Sequence, residues 1–282
     1  MPMNILPTLA LLALGTALHA VEPLTLPLWP AGPGPRVPTS PATQKMIDGY
    51  GKPSATHVTP VLDPTLTFYR AEKAGAPCVV VAPGGGYMFL SYSFEGTQVC
   101  EWLHSIGVAA VLLKYRTPTR DEAEAHTLPV QDARRAIAIA REHAAEWGID
   151  AKRVGLLGFS AGGNILGHAA FDADPVRPDF GIMIYGGGFL DAADKTKFRK
   201  GFSVPADAPP MFFAVAHDDK SNPIEATRLY LEYKRLKRPA ELHIYTHGGH
   251  GFGMRKDGHP INEWPARCAE WLGSMGLLDA AK

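Results

Sequence analysis

The chain has 282 residues, with 28 Lys and Arg against 28 Asp and Glu, so its formal net charge is zero. This balance leaves no basic surplus to neutralise phosphates and argues against nucleic acid as a partner. Hydrophobic residues make up 46% of the chain and charged residues 20%, which excludes wholesale disorder and fits one large domain with additional segments.

The chain begins with an apolar segment, residues 5–20, that ends in Leu18, His19 and Ala20. The segment is shorter than the ~20 apolar residues that a membrane-spanning helix needs, and its last residues resemble a small-residue cleavage site. We expect a secretory signal peptide at residues 1–20, cleaved after Ala20. The mature protein is then periplasmic or extracellular and has no membrane span. A buried amino-terminal helix is the alternative.

Residues 21–60 form a proline-rich segment that includes the sequence LPLWPAGPGP. Proline neither continues a helix nor donates to a central sheet, so we expect this segment to wrap the surface in extended form. Trp29 is the expected anchor. The catalytic domain is then residues 61–279.

Short apolar segments alternate with helical patterns from residue 66 onward. Residues 78–82 (CVVVA) are a continuous, largely β-branched run, which is typical of a strand buried on both faces. Six further segments have strand character: residues 66–70, 108–113, 154–157, 181–185, 211–216 and 241–245. Apolar residues recur at helical spacing from Val130 to Trp147 and from Trp264 to Met275. This alternation predicts the α/β class, with a mostly parallel sheet flanked by helices.

The sequence Gly158-Phe159-Ser160-Ala161-Gly162 follows one predicted strand and precedes a helical segment. This is the context of a nucleophile elbow, a turn so sharp that glycines flank the exposed serine. Ser160 is therefore the candidate nucleophile. The alternative is a structural glycine-rich turn.

A serine nucleophile needs a base, and the base needs a carboxylate that orients it. In this class of fold the acid and the histidine follow the serine in that order. Asp218 and Asp219 follow the strand at residues 211–216, and His250 follows the strand at residues 241–245. Adjacent residues near a strand end point to different sides, so we expect only one aspartate to reach His250 and the other to hold its own loop.

Glycines at positions 84–86 follow the strand at residues 78–82, where esterases carry an oxyanion loop. The backbone N–H groups of Gly85, Gly86 and Ala161 are the candidate oxyanion donors. A phosphate-binding loop is the alternative, but neither glycine-rich phosphate motif is present. A zinc site at His243 and His247 is also unfavourable, because side chains on a strand and its exit do not converge. We expect no metal and no cofactor.

Three cysteines, Cys78, Cys100 and Cys268, allow at most one disulfide. We expect all three to be buried packing residues.

Together these motifs resemble the α/β-hydrolase superfamily. More narrowly, they resemble secreted carbohydrate esterases of the acetylxylan- and feruloyl-esterase-like group, also described as xylanase-like or dienelactone-hydrolase-like. The resemblance spans about residues 27–272. The segments that carry it are PLWP (27–30), PGGGY (83–87), LLKYR (112–116), VQDA (130–133), AEWGID (145–150), GFSAGG (158–163), RPDF (177–180) and GGHGFG (248–253).

The resemblance implies an α/β-hydrolase fold with a small lid or none. It also implies a serine esterase that removes acetyl or feruloyl groups from xylan-type polysaccharide through an acyl-enzyme. Matching Pro223 to the family proline makes Asp219 the catalytic acid, with Asp218 as the alternative. Two departures stand near the site: Asn164, where the family usually has histidine, and the segment of residues 220–222 (KSN).

Several other functions use similar sequence features. A small-ester or dienelactone-like hydrolase would share the triad, and so would a serine peptidase, although a peptidase typically carries an added recognition domain. A carbohydrate-binding module and a catalytically inactive interaction protein fit less well, because Ser160, Asp219 and His250 occur in the order that catalysis needs. Residues 186–210 are too short for a lid domain, and we expect either a solvated loop or the rim of an acyl pocket. The expected substrate is an ester-bearing small molecule or polysaccharide.

Overall fold

A computed structural model describes residues 23–30, 32, 41–49, 56–220 and 222–278 of the chain. The signal peptide expected at residues 1–20 lies outside these residues and stays a prediction, as do the domain boundaries. Within the described ranges, no helix has both the length and the apolar character needed to cross a membrane.

An eight-stranded sheet forms the centre of the fold. Its strands in chain order are β1 (Leu24–Pro27), β3 (Thr65–Tyr69), β4 (Ala76–Ala82), β6 (Ala109–Lys114), β7 (Ile149–Phe159), β8 (Gly181–Ile184), β9 (Met211–Ala216) and β10 (Ala240–Tyr245). Across the sheet they lie in the order β1-β3-β6-β4-β7-β8-β9-β10. Two short strands, β2 (His57–Val58) and β5 (Leu90–Ser91), pair with each other outside this sheet.

The sheet is parallel from β6 to β10, and β1 and β3 add an antiparallel edge. Every residue of β4, β8 and β9 is buried, which explains why their sequences are continuous apolar runs. The seven strands expected from residue 66 onward are all present. The prediction of an α/β-hydrolase fold with a mostly parallel sheet is confirmed.

The helices are α1 (Pro41–Gly49), α2 (Gln98–Ser105), α3 (Thr127–Glu142), α4 (Ala144–Trp147), α5 (Ala161–Phe171), α6 (Asn222–Arg235) and α7 (Trp264–Ser274). A π-helical turn, Ser93–Thr97, precedes α2, and a 3₁₀ turn, Pro260–Glu263, precedes α7. The helical pattern expected from Val130 to Trp147 is interrupted at His143, so that it forms α3 and α4.

Hydrophobic residues pack on both faces of the sheet. Val80 of β4 belongs to the same hydrophobic cluster as residues of α3, α5 and α6, whereas Val79 and Val81 belong to a cluster with residues of α2 and α7. This alternation follows from the two-residue period of a strand. Cys78, Cys100 and Cys268 are buried and unpaired, as expected, and burial raises the pKa of the Cys78 thiol to about 12.

The proline-rich segment is only partly extended. Residues 24–27 form the edge strand β1, and Trp29 is anchored as predicted, because its indole Nε1 donates to Asp132 Oδ1 at 2.9 Å. Asp132 itself is held by Arg116 in a buried ion pair of 2.7 Å. The expectation of extended chain is wrong for residues 41–49, which form α1. Pro41 is the first residue of α1, a position where proline's missing N–H costs the helix no hydrogen bond.

Candidate active site

Ser160 lies in a sharp turn between β7 and α5. Its backbone has φ 52° and ψ −113°, a conformation that non-glycine residues rarely adopt and that is common at functional sites. A Cβ atom on Gly158 would lie 2.1 Å from the Gly162 carbonyl oxygen, and one on Gly162 would lie 2.0 Å from the Ala82 carbonyl oxygen. Side chains at these two positions would therefore block the turn, which accounts for the G-x-S-x-G spacing.

The structure brings Ser160, His250 and Asp219 together in one chain of hydrogen bonds. Ser160 Oγ lies 2.8 Å from His250 Nε2, and His250 Nδ1 lies 2.8 Å from Asp219 Oδ2. The Asp219 carboxylate is only 6% exposed. Its hydrogen bond raises the pKa of His250, and partial burial of the ring opposes that rise. With Nδ1–H donating to Asp219, the neutral imidazole presents Nε2 as the acceptor for the serine proton.

Asp218 faces away from this chain of hydrogen bonds. Its carboxylate accepts the backbone N–H groups of Gly249 at 2.8 Å and of Gly248 at 3.4 Å, and His247 Nδ1 lies 3.6 Å from it. We call residues 246–253 the histidine loop, since they carry His250. The expectation that the second aspartate holds its own loop is therefore wrong: Asp218 holds the histidine loop, because that loop follows the neighbouring strand β10.

The three candidate oxyanion donors surround the same serine. Gly85 and Gly86 line a cleft with Ser160 and His250, and Ala161 is the first residue of α5, where the backbone N–H has no partner inside the helix. No hydrogen bond described for the chain uses the N–H of these three residues. Gly85 has φ +136°, and a Cβ there would lie 1.8 Å from the Phe89 carbonyl oxygen, so that only glycine fits.

Glu95 is a site residue that the sequence did not reveal. Its carboxylate is 5% exposed and accepts the Gly84 backbone N–H at 2.7 Å and the Tyr185 hydroxyl at 2.7 Å. The Tyr185 hydroxyl oxygen in turn accepts the Gly253 N–H at 3.0 Å, and the Tyr185 ring centroid lies 4.9 Å from that of His250. Burial raises the pKa of Glu95, and its hydrogen bonds with Tyr185 and Gly84 oppose that rise. Glu95 thus joins the segment of Gly84 to the histidine loop through Tyr185.

We expect Glu95→Gln to lower kcat by about tenfold to a hundredfold without unfolding the protein. A glutamine offers one acceptor oxygen where Glu95 has two, so either the Gly84 N–H or the Tyr185 hydroxyl loses its acceptor, at a cost of about 1–3 kcal/mol. The Glu95 carboxylate also helps to raise the pKa of His250. The acid limb of the kcat/KM profile should therefore move to lower pH, a shift that a purely structural defect would not produce. An unmoved profile in a folded variant would contradict this role.

The two departures from the family pattern also belong to the site. The Asn222 side-chain amide donates to the Tyr185 carbonyl at 2.7 Å and to Asp219 Oδ2 at 3.1 Å. Asn164 accepts the Tyr87 hydroxyl at 2.8 Å and donates to the Gly187 carbonyl at 2.8 Å. Asn222 therefore helps to fix the Asp219 carboxylate, and Asn164 joins Tyr87, which follows the glycines at positions 84–86, to the loop after β8.

Two clefts meet at Ser160 and His250, and Gly86 and Arg120 also line both. The first cleft, about 470 Å³, is bounded by residues 122–126 together with Gly187, Gly188 and Arg199. The second cleft, about 400 Å³, is bounded by His57, Met88, Phe89, Gly251 and Arg255.

The segment of residues 186–210 forms one rim of the first cleft. Gly187, Gly188 and Arg199 line the cleft, whereas Phe189 and Phe202 are buried in the core. Of the two interpretations of this segment, the rim of the site fits better than a solvated loop.

Comparison with known proteins found a matching family model and two similar curated proteins. A family model described as alpha/beta hydrolase fold matches residues 79–246. The chain is 30% identical over 213 residues to an acetylxylan esterase from Xylanibacter ruminicola, a match that covers 67% of this chain and 44% of that protein. It is 28% identical over 222 residues to endo-1,4-beta-xylanase B from Butyrivibrio fibrisolvens, which covers 68% of this chain and 35% of that protein. The chain thus spans less than half the length of these curated relatives.

A solved structure is similar over nearly its whole length. The acetyl ester-xyloside bifunctional hydrolase from Caldicellulosiruptor lactoaceticus superposes with a TM-score of 0.69 at 30% sequence identity. The match covers 91% of this chain and 97% of that one.

Proposed function

The chain belongs to the α/β-hydrolase family, and from this premise we propose that it is a serine esterase that removes acyl groups, acetyl above all, from xylan-type polysaccharide. The observation that carries the proposal is the chain of hydrogen bonds from Ser160 Oγ through His250 to Asp219, with 2.8 Å at each step. The names of the similar acetylxylan esterase and acetyl ester-xyloside hydrolase support acetyl as the acyl group and a carbohydrate as the alcohol.

In the proposed mechanism Ser160 Oγ attacks the ester carbonyl carbon while its proton passes to His250 Nε2. Asp219 stabilises the imidazolium through Nδ1–H. The negative charge on the former carbonyl oxygen is stabilised by the backbone N–H groups of Gly85, Gly86 and Ala161. His250 then protonates the ester oxygen of the sugar as its bond to the carbonyl carbon breaks, which releases the sugar alcohol and leaves the acyl-enzyme. A water molecule, deprotonated by the same imidazole, attacks the acyl-enzyme, and its hydrolysis returns Ser160 and the free acid.

The surroundings of Ser160 favour a hydroxylated substrate over a hydrocarbon. The first cleft is lined largely by polar and charged side chains, among them Glu122, Glu124 and His126. Such a surface offers hydrogen-bonding partners to sugar hydroxyls. It offers little apolar surface against which a long acyl chain could be buried. These features support an alcohol rich in hydroxyls and a short acyl group.

The substrate assignment is tested by measuring acetate release from acetylated xylan, beside turnover of methyl ferulate and p-nitrophenyl acetate. We expect acetate release from the polymer, faster than ferulate release, and no loss of activity in EDTA. Turnover of p-nitrophenyl acetate without any release from the polymer would instead assign a general small-ester hydrolase. If methyl ferulate is turned over faster than acetate is released, the acyl group of the substrate is feruloyl and not acetyl. EDTA-sensitive activity that a divalent metal restores would overturn the serine mechanism.

We also propose that the protein works outside the cytoplasm, since residues 5–20 have the composition of a signal peptide and a polymeric substrate is found outside the cell. The amino-terminal sequence of the exported protein tests this: we expect it to begin at Val21.

A further inference from the structure

We propose that the second cleft binds a carboxylate carried by the substrate, so that the preferred substrates are acetylated oligosaccharides that bear an acidic sugar. This inference rests on the proposed esterase function and adds to it a charged recognition site beside Ser160. Arg120 and Arg255 both line this cleft together with Ser160 and His250.

Neither arginine has a direct carboxylate partner among the described residues, although the charge of Arg255 opposes the rise that burial causes in the pKa of Glu95. Arg120 donates to Met88 Sδ at 2.7 Å, and a thioether is a weak acceptor. Arg255 donates to the Gly251 carbonyl and lies with its guanidinium carbon 5.2 Å from the Phe94 ring centroid. Among the residues that the structure describes, no carboxylate oxygen lies within 4.0 Å of either guanidinium.

Elsewhere among the described residues, seven arginines form an ion pair with a carboxylate and five do not. Arginines that pair with a carboxylate are Arg116, Arg134, Arg135, Arg141, Arg177, Arg235 and Arg267. Arg120 and Arg255 differ from these seven arginines in having no carboxylate partner, and both line one cleft beside Ser160.

The cleft supplies no accessible anion of its own. Its carboxyl group is that of Glu95, which is buried and accepts hydrogen bonds from Gly84 and Tyr185 on its two oxygens. The first cleft differs, because Glu122 and Glu124 lie there together with Arg120 and Arg199. Arg120 lines both clefts, so the second cleft differs from the first in having Arg255 and no exposed carboxylate among its lining residues.

The two cations stand beside the reacting groups. Arg120 Nη1 lies 3.9 Å from the point that a Cβ on Gly86 would occupy, next to the oxyanion glycines. The Arg255 guanidinium donates a hydrogen bond to the carbonyl oxygen of Gly251, the residue after His250. A sugar next to the acetylated one can enter the cleft that both arginines line, and a carboxylate on that sugar would then face their guanidinium groups. Guanidinium groups match carboxylates well, since their planar N–H donors bind both oxygens at once.

The remaining surface of the cleft fits a sugar ring. The Phe89 ring meets the His57 ring edge-on with centroids 4.9 Å apart, which gives the cleft an aromatic wall. The volume of about 400 Å³ is within the usual range of small-ligand sites.

The test compares kcat/KM for two acetylated xylo-oligosaccharides of equal length, one with a uronic acid substituent and one without. We expect the wild-type protein to prefer the acidic substrate by about tenfold, the effect of one good charge-assisted hydrogen-bonded pair. Arg120→Gln should remove most of this preference, chiefly through KM, because the carboxylate is bound equally in the ground state and the transition state. Arg120→Lys should restore part of it, and rising salt should weaken it in the wild type.

Arg235→Gln is the matched control, since it removes one positive charge from α6, away from both clefts, and should leave the preference unchanged. Equal kcat/KM for the two substrates in the wild type, or a preference that survives Arg120→Gln, would overturn the inference while the esterase function stands. Hydrolysis of neither oligosaccharide, beside intact turnover of p-nitrophenyl acetate, would overturn the carbohydrate substrate itself.

Discussion

Replacing Ser160 by alanine is expected to lower kcat for acetate esters by about 10⁶-fold, because the chain then has no oxygen nucleophile in contact with His250. The remaining oxyanion donors would still bind the carbonyl, so a small residual rate over the uncatalysed reaction is expected. Alanine can occupy the turn, since it adds no atom beyond the Cβ of serine. Turnover of p-nitrophenyl acetate by the purified variant measures the effect, with a thermal melt to show that the fold is retained.

Ser105→Ala is the matched control for this variant. Ser105 lies at the end of α2, where its hydroxyl donates to the Trp102 carbonyl at 2.7 Å, and it lines neither cleft. This control should keep the wild-type rate. Wild-type turnover in a folded Ser160→Ala sample would mean that another residue is the nucleophile.

The second large effect is expected from Asp219→Asn, which should lower kcat by up to about 10⁴-fold. The asparagine amide would favour the wrong tautomer of His250 and could not stabilise the imidazolium. The pH profile should change as well. The bond to Asp219 raises the pKa of His250, so its loss lowers that pKa, and the acid limb of kcat/KM moves to lower pH.

Asp218→Asn is the natural comparison, because the two aspartates are adjacent and the substitution is the same. The Asp218 carboxylate accepts hydrogen bonds from the backbone N–H groups of Gly248 and Gly249. Asp218→Asn should therefore loosen the histidine loop, and it should lower kcat far less than Asp219→Asn does. The acid limb of the kcat/KM pH profile should stay at the wild-type pH in this variant. A large loss of kcat in Asp218→Asn with a mild loss in Asp219→Asn would reverse the assignment of the acid.

The sheet and the nucleophile were predictable because each leaves a strong local pattern. Strands buried on both faces must be continuous apolar runs, as in β4 and β9, and these runs mark the strand ends where ligands bind in such sheets. The elbow around Ser160 is equally local, since the close approach of backbone atoms forces glycine at positions 158 and 162.

The choice between Asp218 and Asp219 could not be made from their positions alone, because both follow β9 and differ only in the direction of their side chains. Glu95 left no pattern at all. It lies in a single π-helical turn, and its partners Gly84 and Tyr185 lie 11 and 90 residues away in sequence, in no recognisable spacing. The α1 helix was not predicted because proline disfavours a helix interior. Pro41, however, occupies the first helical position, where proline is well placed.

The two clefts were equally beyond sequence analysis, since each is assembled from several loops that meet only in the folded chain. The charged residues that line the second cleft therefore lie far apart in the sequence. Arg120 and Arg255 are 135 residues apart by their numbers, yet both line the second cleft.

The central claim is that Ser160 is the nucleophile of an ester hydrolase, and covalent labelling tests it most directly. The purified protein is treated with a serine-directed organophosphate, and the modified residue is identified by peptide mass spectrometry while acetate release is followed. We predict one adduct per chain, located on Ser160, with activity lost in proportion to labelling. Full inactivation with the adduct on another residue, or full labelling of Ser160 with activity retained, would contradict the claim.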